Sequence, residues 1–138
     1  MAGAASGAMD HRRIRVLLVE DEEIHRVLAR ALLKAAVAGG VELDEAANGE
    51  EAVRLVRERG AGGAYDLILT DRQMPVMDGH EATRRIRALG VTAPIVGVSS
   101  DGLAADVDAF IKAGADDFMP KPLSREKLDS ILTKFGLA

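Results

Sequence analysis

Short apolar runs alternate with amphipathic stretches along most of the chain. The runs that predict buried strands are 14–20, 41–46, 65–70, 95–99 and 117–119. Between them, apolar positions recur at helical spacing and predict helices over about 23–38, from Asn48 to the glycines at 60–63, and over about 80–89, 103–113 and 124–135. In the first of these helices, the predicted apolar stripe consists of Ile24, Leu28, Ala31, Leu32 and Ala35. A strand followed by a helix, five times over, favours an α/β fold with a parallel sheet and helices on both faces.

Polar residues mark the predicted starts of three helices. Asn48 and Asp78 are each followed three residues later by a glutamate, Glu51 and Glu81, which is the spacing of a capping box. Ser124 is predicted to cap the last helix. Residues 1–13 are small and polar and are expected to form a disordered lead. Residues 14–138 are expected to form a single domain, with no linker dividing them.

Composition narrows the class of protein. A chain of 138 residues corresponds to about one domain. Its residues are 48% apolar but only 3% aromatic, so aliphatic side chains must fill the core. The net charge of −4 gives no basic surface of the kind that nucleic-acid binding requires, and the lack of cysteine excludes disulfides, zinc fingers and thiol catalysis. No apolar run approaches the ~20 residues that span a bilayer, and the N-terminus lacks the apolar core of a signal peptide.

Chemically capable side chains stand where the predicted strands end. Parallel α/β sheets bind ligands beyond these carboxyl ends, at the point where strand order reverses. The residues there are Glu20, Asp21, Asp71, Ser99 and Lys121. If the strand order is 2-1-3-4-5, the strands that carry the three carboxylates are neighbours. Each residue alone is ordinary for a turn, a cap or a helix start.

Together, these side chains indicate phosphoryl transfer. Carboxylates in close contact repel one another unless a cation intervenes. A hard divalent ion such as Mg²⁺ prefers such oxygen ligands, and Lys121 adds a further positive charge. An aspartate nucleophile, a metal, an ammonium and a hydroxyl supply the positioning and charge stabilisation that phosphoryl transfer needs.

Four separated blocks of sequence resemble response-regulator receiver domains, over about residues 15–132. They are VLLVEDE, LTDRQMPVMDG, PIVGVSS and FMPKPL. The resemblance implies a flavodoxin-like (βα)5 fold with strand order 2-1-3-4-5 and an acyl-phosphate on Asp71. It implies Mg²⁺ (or Mn²⁺) held by Asp21, Asp71 and the backbone carbonyl of Gln73, with Glu20 acting through water. It also implies that Lys121 pairs with the phosphoryl group and precedes a cis proline.

The resemblance further implies a switch and shows departures from the family pattern. Ser99 is expected to move toward the phosphoryl oxygens while Phe118 changes rotamer to fill the vacated space. Phe118 lacks the hydroxyl of the tyrosine that is common in relatives, and Glu20 replaces a more frequent aspartate. Gln73 and Asp101 are expected to flank the phosphoryl group and to tune its hydrolysis by orienting water.

Other segments most resemble the plant type-C single-domain response regulators. These segments are EIHRVLARALL, EAANGEEAV, MDGHEATRRIR and GVSSD. The implied partner is a histidine phosphotransfer protein or a histidine kinase, with contacts at Ile24, His25, Leu28 and Pro122. No nucleic acid or membrane is expected as a partner. The implied protein is a monomer of the cytoplasm and nucleus in a phosphorelay such as cytokinin signalling.

Three functions remain open from the sequence. The first is a signalling receiver that accepts a phosphoryl group on Asp71 and changes conformation. The second is a phosphatase-like sink that drains phosphotransfer proteins by rapid hydrolysis of its own acyl-phosphate. The third is a haloacid-dehalogenase-like hydrolase, which is disfavoured because Gln73 stands where such enzymes carry a second aspartate. The lifetime of the acyl-phosphate separates the first two.

Overall fold

The five apolar runs form one parallel sheet with strand order β2-β1-β3-β4-β5, as predicted. The computed structural model describes residues 13–59, 65–72, 74–100 and 104–137. The strands are β1 (Ile14–Val19), β2 (Val41–Ala46), β3 (Leu67–Asp71), β4 (Ile95–Ser99) and β5 (Asp117–Pro120). The helices are α1 (Glu23–Ala36), α2 (Gly49–Arg59), α3 (Gly79–Ala88), α4 (Ala104–Ala113) and α5 (Arg125–Lys134). Within the described ranges, no helix is both long and apolar enough to cross a membrane.

The register of the sheet brings the strand ends to one edge. Val19 of β1 lies beside Thr70 of β3, and Asp71 pairs with Val98 of β4. Ser99, the last residue of β4, pairs with Pro120 of β5. The residues that follow β1 and β5 therefore lie close to the ends of β3 and β4, which is where the predicted site requires them.

Strand β3 begins two residues later than predicted and includes Asp71. The reason lies in the polar contacts of the two preceding residues. The Tyr65 hydroxyl donates to Asp44 Oδ2 at 2.6 Å, and an Asp66 oxygen accepts from the Arg15 backbone N–H at 2.9 Å. These side-chain contacts join Tyr65 to β2 and Asp66 to β1, and the ladder pairing of β3 begins at Leu67.

Two apolar layers sandwich the sheet. Alternate residues of β1 enter opposite layers, with Val16 and Leu18 in one and Leu17 and Val19 in the other. The first layer includes side chains of α1 and α5, and the second includes side chains of α2, α3 and α4. Because both faces are covered, the central strands read as continuous apolar runs rather than as an alternating pattern.

Helix α1 buries a different face from the one predicted. Its buried side chains are Ala29 and Leu33. Ile24 is 73% exposed and Leu28 is 43% exposed, although both belonged to the predicted core stripe. The predicted stripe is therefore wrong for α1, because this helix carries more apolar residues than one packed face requires.

The predicted helix caps are present. Asn48 Oδ1 accepts from the Glu51 N–H at 2.8 Å, and Asp78 Oδ1 accepts from the Glu81 N–H at 2.9 Å. Ser124 Oγ accepts from the N–H three residues later, at 3.2 Å. The Glu81 carboxylate binds the guanidinium groups of Arg84 and Arg85, so in α3 it stabilises the helix surface.

Helix α4 packs on β4 through a glycine. The Phe110 ring lies over Gly97, where an added Cβ would come within 2.6 Å of a ring carbon. The His80 ring packs edge-to-face with this ring at a centroid distance of 4.3 Å, and the Phe118 ring lies 6.1 Å away. The missing side chain at Gly97 thus allows α4 to approach the sheet closely.

Candidate functional site

The residues predicted to form the site converge at the edge of the sheet where the strands have their carboxyl ends. Glu20 and Asp21 follow β1, Asp71 ends β3, Ser99 ends β4 and Lys121 follows β5. Carboxylate oxygens of Glu20, Asp21 and Asp71 lie within 4.8 Å of one another. Glu20 is 4% exposed and Asp71 is 9% exposed, so two of the three charges are largely removed from water.

Lys121 is the cation at the centre of this cluster. Its Nζ donates to Glu20 Oε1 at 2.8 Å and to Asp71 Oδ2 at 3.2 Å. A third contact, at 3.0 Å, joins Nζ to Nδ1 of His25 on α1. The ammonium has three N–H groups, so these three contacts satisfy all of them.

Backbone groups fix the two buried carboxylates. The Arg72 N–H donates to Asp71 Oδ1 at 2.8 Å, and the Glu22 N–H donates to Glu20 Oε2 at 3.1 Å. Arg26 of α1 donates to the Glu20 carbonyl at 2.7 Å. Asp71 therefore has one oxygen held by the backbone and the other held by Lys121.

Burial and neighbouring charges set the ionisation of these groups. Burial and the charge of Glu20 raise the pKa of Asp71 to about 6, against the opposing effect of Lys121. Burial also opposes ionisation of Glu20, but the bonds from Lys121 and from the Glu22 N–H outweigh it and lower its pKa. Burial and Glu20 raise the pKa of Asp21. When all three acids are ionised, the cluster carries three carboxylates against one ammonium.

This donor set fits a divalent cation. Mg²⁺ takes carboxylate oxygens and retains several waters. Asp21, the more exposed carboxylate, lies with an oxygen within 4.8 Å of oxygens of Glu20 and Asp71, both of which Lys121 contacts. Excess negative charge and oxygen-only ligands within a few ångströms are the conditions that such an ion requires.

Of the other residues predicted for the site, Ser99 and Phe118 are described and lie near the acidic cluster or the core beside it. Ser99 is buried, and its carbonyl accepts from the Lys121 backbone N–H at 2.8 Å, which places it beside the cluster. Phe118 is partly buried in β5, against the ring of Phe110. The Lys121–Pro122 bond is cis, as expected. Gln73, expected to contribute its carbonyl and amide, and Asp101 lie outside the described residues.

The sequence did not predict a further buried carboxylate near the site, in addition to Glu20 and Asp71. Asp106 of α4 is 6% exposed, and its Oδ1 lies 3.1 Å from Arg72 Nε and 3.4 Å from His80 Nε2. Among the described residues, neither Asp106 oxygen has a hydrogen-bond partner within the geometry expected of one. Asp106 lies four residues before Phe110, so helical spacing alone indicates that it faces the sheet. The ion pair between Asp106 and Arg72 connects α4 to the segment that follows Asp71.

A cavity of about 330 Å³ adjoins the acidic cluster. It lies between α1 and the segment after β5, and its lining includes Leu28, Ala29, Pro122 and Leu123 together with Asp71 and Lys121. An apolar recess therefore opens beside the reactive carboxylate.

Comparison with known proteins agrees with this geometry. Residues 16–133 match the family model of the response regulator receiver domain. The chain is 71% identical over 130 residues to the two-component response regulator ORR41 of rice, covering 94% of this chain and all of that protein. It is 38% identical over 124 residues to two-component response regulator 24 of Arabidopsis thaliana, covering 90% of this chain and 85% of that one.

A solved structure gives the same fold. It is the receiver domain of a sensor histidine kinase from Pseudomonas aeruginosa, with a magnesium ion coordinated in its active-site cleft. That domain is 35% identical, with a TM-score of 0.76, over 90% of this chain and 98% of the other. With the family model, the close plant relative and the strand order in agreement, the chain belongs to the response-regulator receiver domain family of two-component systems.

Proposed function

We propose that this receiver accepts a phosphoryl group from a phosphohistidine onto Asp71, in a reaction that depends on a divalent cation, and changes conformation in response. The observation that carries the proposal is the setting of Asp71. It is a buried carboxylate fixed by the Arg72 N–H, faced by Lys121, and grouped with two further carboxylates.

The reaction requires little covalent work from the protein. An Asp71 oxygen attacks phosphorus, the phosphorus–nitrogen bond breaks, and its electron pair returns to the donor imidazole. Charge on the phosphoryl oxygens is the main obstacle, and positioned cations lower it. Lys121 supplies one positive charge from within the site. Bound Mg²⁺, held by Asp21, Asp71 and the Gln73 carbonyl, with Glu20 through water, would supply the neutralisation that one ammonium cannot.

The surface around the site suits a protein donor. Leu28 of α1 lines the cavity of about 330 Å³ and Pro122 lines its other side, while Ile24 is exposed one turn earlier on the same helix. Exposed apolar side chains next to a recess are typical of protein-interaction sites. A histidine phosphotransfer protein or a histidine kinase that docks there would present its phosphohistidine to Asp71.

The likeness to the rice and Arabidopsis response regulators supports a plant phosphorelay. The type-C assignment and a cytokinin-type pathway of the cytoplasm and nucleus are part of the same proposal. The draining alternative requires rapid hydrolysis of the acyl-phosphate, which Gln73 and Asp101 are expected to tune, and both lie outside the described residues. The phosphoryl-accepting reaction is therefore the function proposed.

Asp71→Asn tests the proposal. The amide keeps the size of the side chain but cannot act as a carboxylate nucleophile, so we expect phosphoryl acceptance to be abolished and the fold to be retained. The measurement is acyl-phosphate formation from acetyl phosphate and from a phosphorylated phosphotransfer protein, in Mg²⁺. Asp108→Asn, at a side chain that is 60% exposed on α4, is the matched control and should accept as the wild type does. Labelling of Asp71→Asn at the wild-type level would refute the assignment.

A further inference from the structure

His25 is a polar residue of the site to which the proposed reaction has so far given no role. It lies in the first turn of α1, with a side chain that is 38% exposed. Its Nδ1 is 3.0 Å from Lys121 Nζ and 3.6 Å from Glu20 Oε1. The residue thus approaches the reactive lysine from a third element, separate from the β1 and β3 ends that bear the carboxylates.

The chemistry of the contact fixes the state of the imidazole. An ammonium group only donates hydrogen bonds, so Nδ1 must be the acceptor. The contact therefore requires the tautomer that carries its proton on Nε2 and none on Nδ1. Such a hydrogen bond from a charged donor is stronger than one between neutral groups.

The three contacts of Lys121 differ in what phosphorylation does to them. The contact with Asp71 Oδ2 is the longest, at 3.2 Å, and it involves the carboxylate that becomes an acyl-phosphate. The contacts with Glu20 and His25 do not involve the nucleophile. These two can hold Nζ in place while its third N–H turns to a phosphoryl oxygen.

We propose that His25 is a positioning residue for Lys121: its Nδ1 holds the ammonium over Asp71, where the phosphoryl group arrives. This inference rests on the proposed function. A lysine has four rotatable bonds and loses considerable rotamer entropy when it is fixed. A hydrogen-bond acceptor on α1 offsets part of that entropy cost before the phosphoryl donor binds. Since Ile24 and Leu28 belong to the same helix, the acceptor is carried by the surface proposed for docking.

Three substitutions of His25 separate positioning from bulk. Asn places its Oδ1 the same number of bonds from the backbone as the histidine Nδ1, so His25→Asn should preserve the contact. His25→Gln moves the acceptor one bond farther out, and His25→Leu removes it. Acetyl phosphate is the donor, because a small molecule makes the rate independent of protein docking on α1.

We expect His25→Leu and His25→Gln to lower the maximal rate of Asp71 phosphorylation by roughly tenfold, the size of one charged hydrogen bond. His25→Asn should stay near the wild-type rate. The Mg²⁺ concentration at half-maximal rate should be the same in all four proteins. Nitrogen-15 NMR of the unphosphorylated wild type should show an unprotonated Nδ1, whose resonance shifts in Lys121→Met.

The outcomes are distinct. Equal rates for the Leu and Asn variants, or a protonated Nδ1, would overturn the role of His25 while phosphorylation of the wild type upholds the proposed function. A wild type that accepts no phosphoryl group from acetyl phosphate or a protein donor would instead refute the proposed function and, with it, this inference.

Discussion

At the scale of single residues, the charges around Asp71 determine what it can do. The raised pKa, about 6, leaves the group mostly ionised at neutral pH, so it can act as a nucleophile. The same setting makes the metal-free site repulsive, since Glu20 and Asp21 add negative charge that Lys121 only partly offsets. Nucleophilicity and the demand for a cation therefore have one origin.

Asp21→Ala tests this balance. In the proposed site Asp21 is a ligand of the ion, so its loss should weaken Mg²⁺ binding by at least roughly tenfold, because even residues that only orient ligands contribute that much. Without metal, the variant should be at least as stable as the wild type, since a repulsive charge is gone. Calorimetric titration and the Tm with and without Mg²⁺ measure both effects.

Glu23→Ala is the control for Asp21→Ala, because it removes the same charge from an exposed position two residues away. Its Mg²⁺ affinity should stay within a small factor of the wild-type value. Equal weakening in the two variants would mean that general charge, and not ligation by Asp21, attracts the ion.

At the scale of elements, the close approach of α4 to β4 depends on the Phe110–Gly97 contact. Gly97→Ala should destabilise the fold by about 1–3 kcal/mol, because the new methyl group meets a ring that has no room to move. Phe110→Leu should also destabilise it, by opening space in the core. In the double variant, the smaller side chain should accommodate the methyl group.

Urea unfolding of these single and double variants forms a double-mutant cycle. We expect the loss in the double variant to be clearly smaller than the sum of the two single losses. Additive losses would show that the ring and the glycine do not constrain each other.

The helices also show why the sequence predicted some elements better than others. Caps such as Asn48 and Asp78 are local, since the acceptor and the donor lie three residues apart, and both were predicted. The buried face of α1 was not, because apolar residues occur on more than one side of it and only the tertiary contacts select Ala29 and Leu33.

The same difference between local patterns and tertiary contacts applies to the residues of the site. Strand ends of a parallel sheet meet at one edge, so Asp71 and Lys121 could be placed together from the pattern alone. The contact of His25 with Lys121 spans 96 positions and depends on side-chain direction, which no periodicity encodes. The pairing of Asp106 with Arg72 was missed for the same reason.

At the scale of the whole molecule, the site makes stability depend on pH. The folded pKa of Asp71, about 6, exceeds its ordinary 3.8, so the folded state holds this proton more tightly. The resulting contribution to folding is full below about pH 4 and is lost as the pH rises through about 6. The pKa of Glu20 is lowered from 4.5, so its opposite effect acts at lower pH.

In metal-free protein, we therefore expect Asp71 to lower the free energy of unfolding between about pH 5 and about pH 7. Mg²⁺ should restore it at the higher pH. Urea unfolding at both pH values, with and without Mg²⁺, is the measurement. The Asp71→Asn variant is the control and should show a smaller pH difference. If it matched the wild type, the pH effect would arise elsewhere.

The late position of Lys121 in the sequence affects how the chain folds during its synthesis. This lysine follows the last strand, 101 positions after Glu20 and 50 after Asp71, both of which it binds. During translation, Glu20 and Asp71 are added to the chain long before Lys121, whose ammonium group stabilises both carboxylates. Any intermediate that lacks β5 holds unbalanced charges at the edge of its sheet. Docking of β5 thus completes the sheet and brings Lys121 to the acidic cluster in the same event, so a chain folded only as far as β4 lacks the proposed acceptor site.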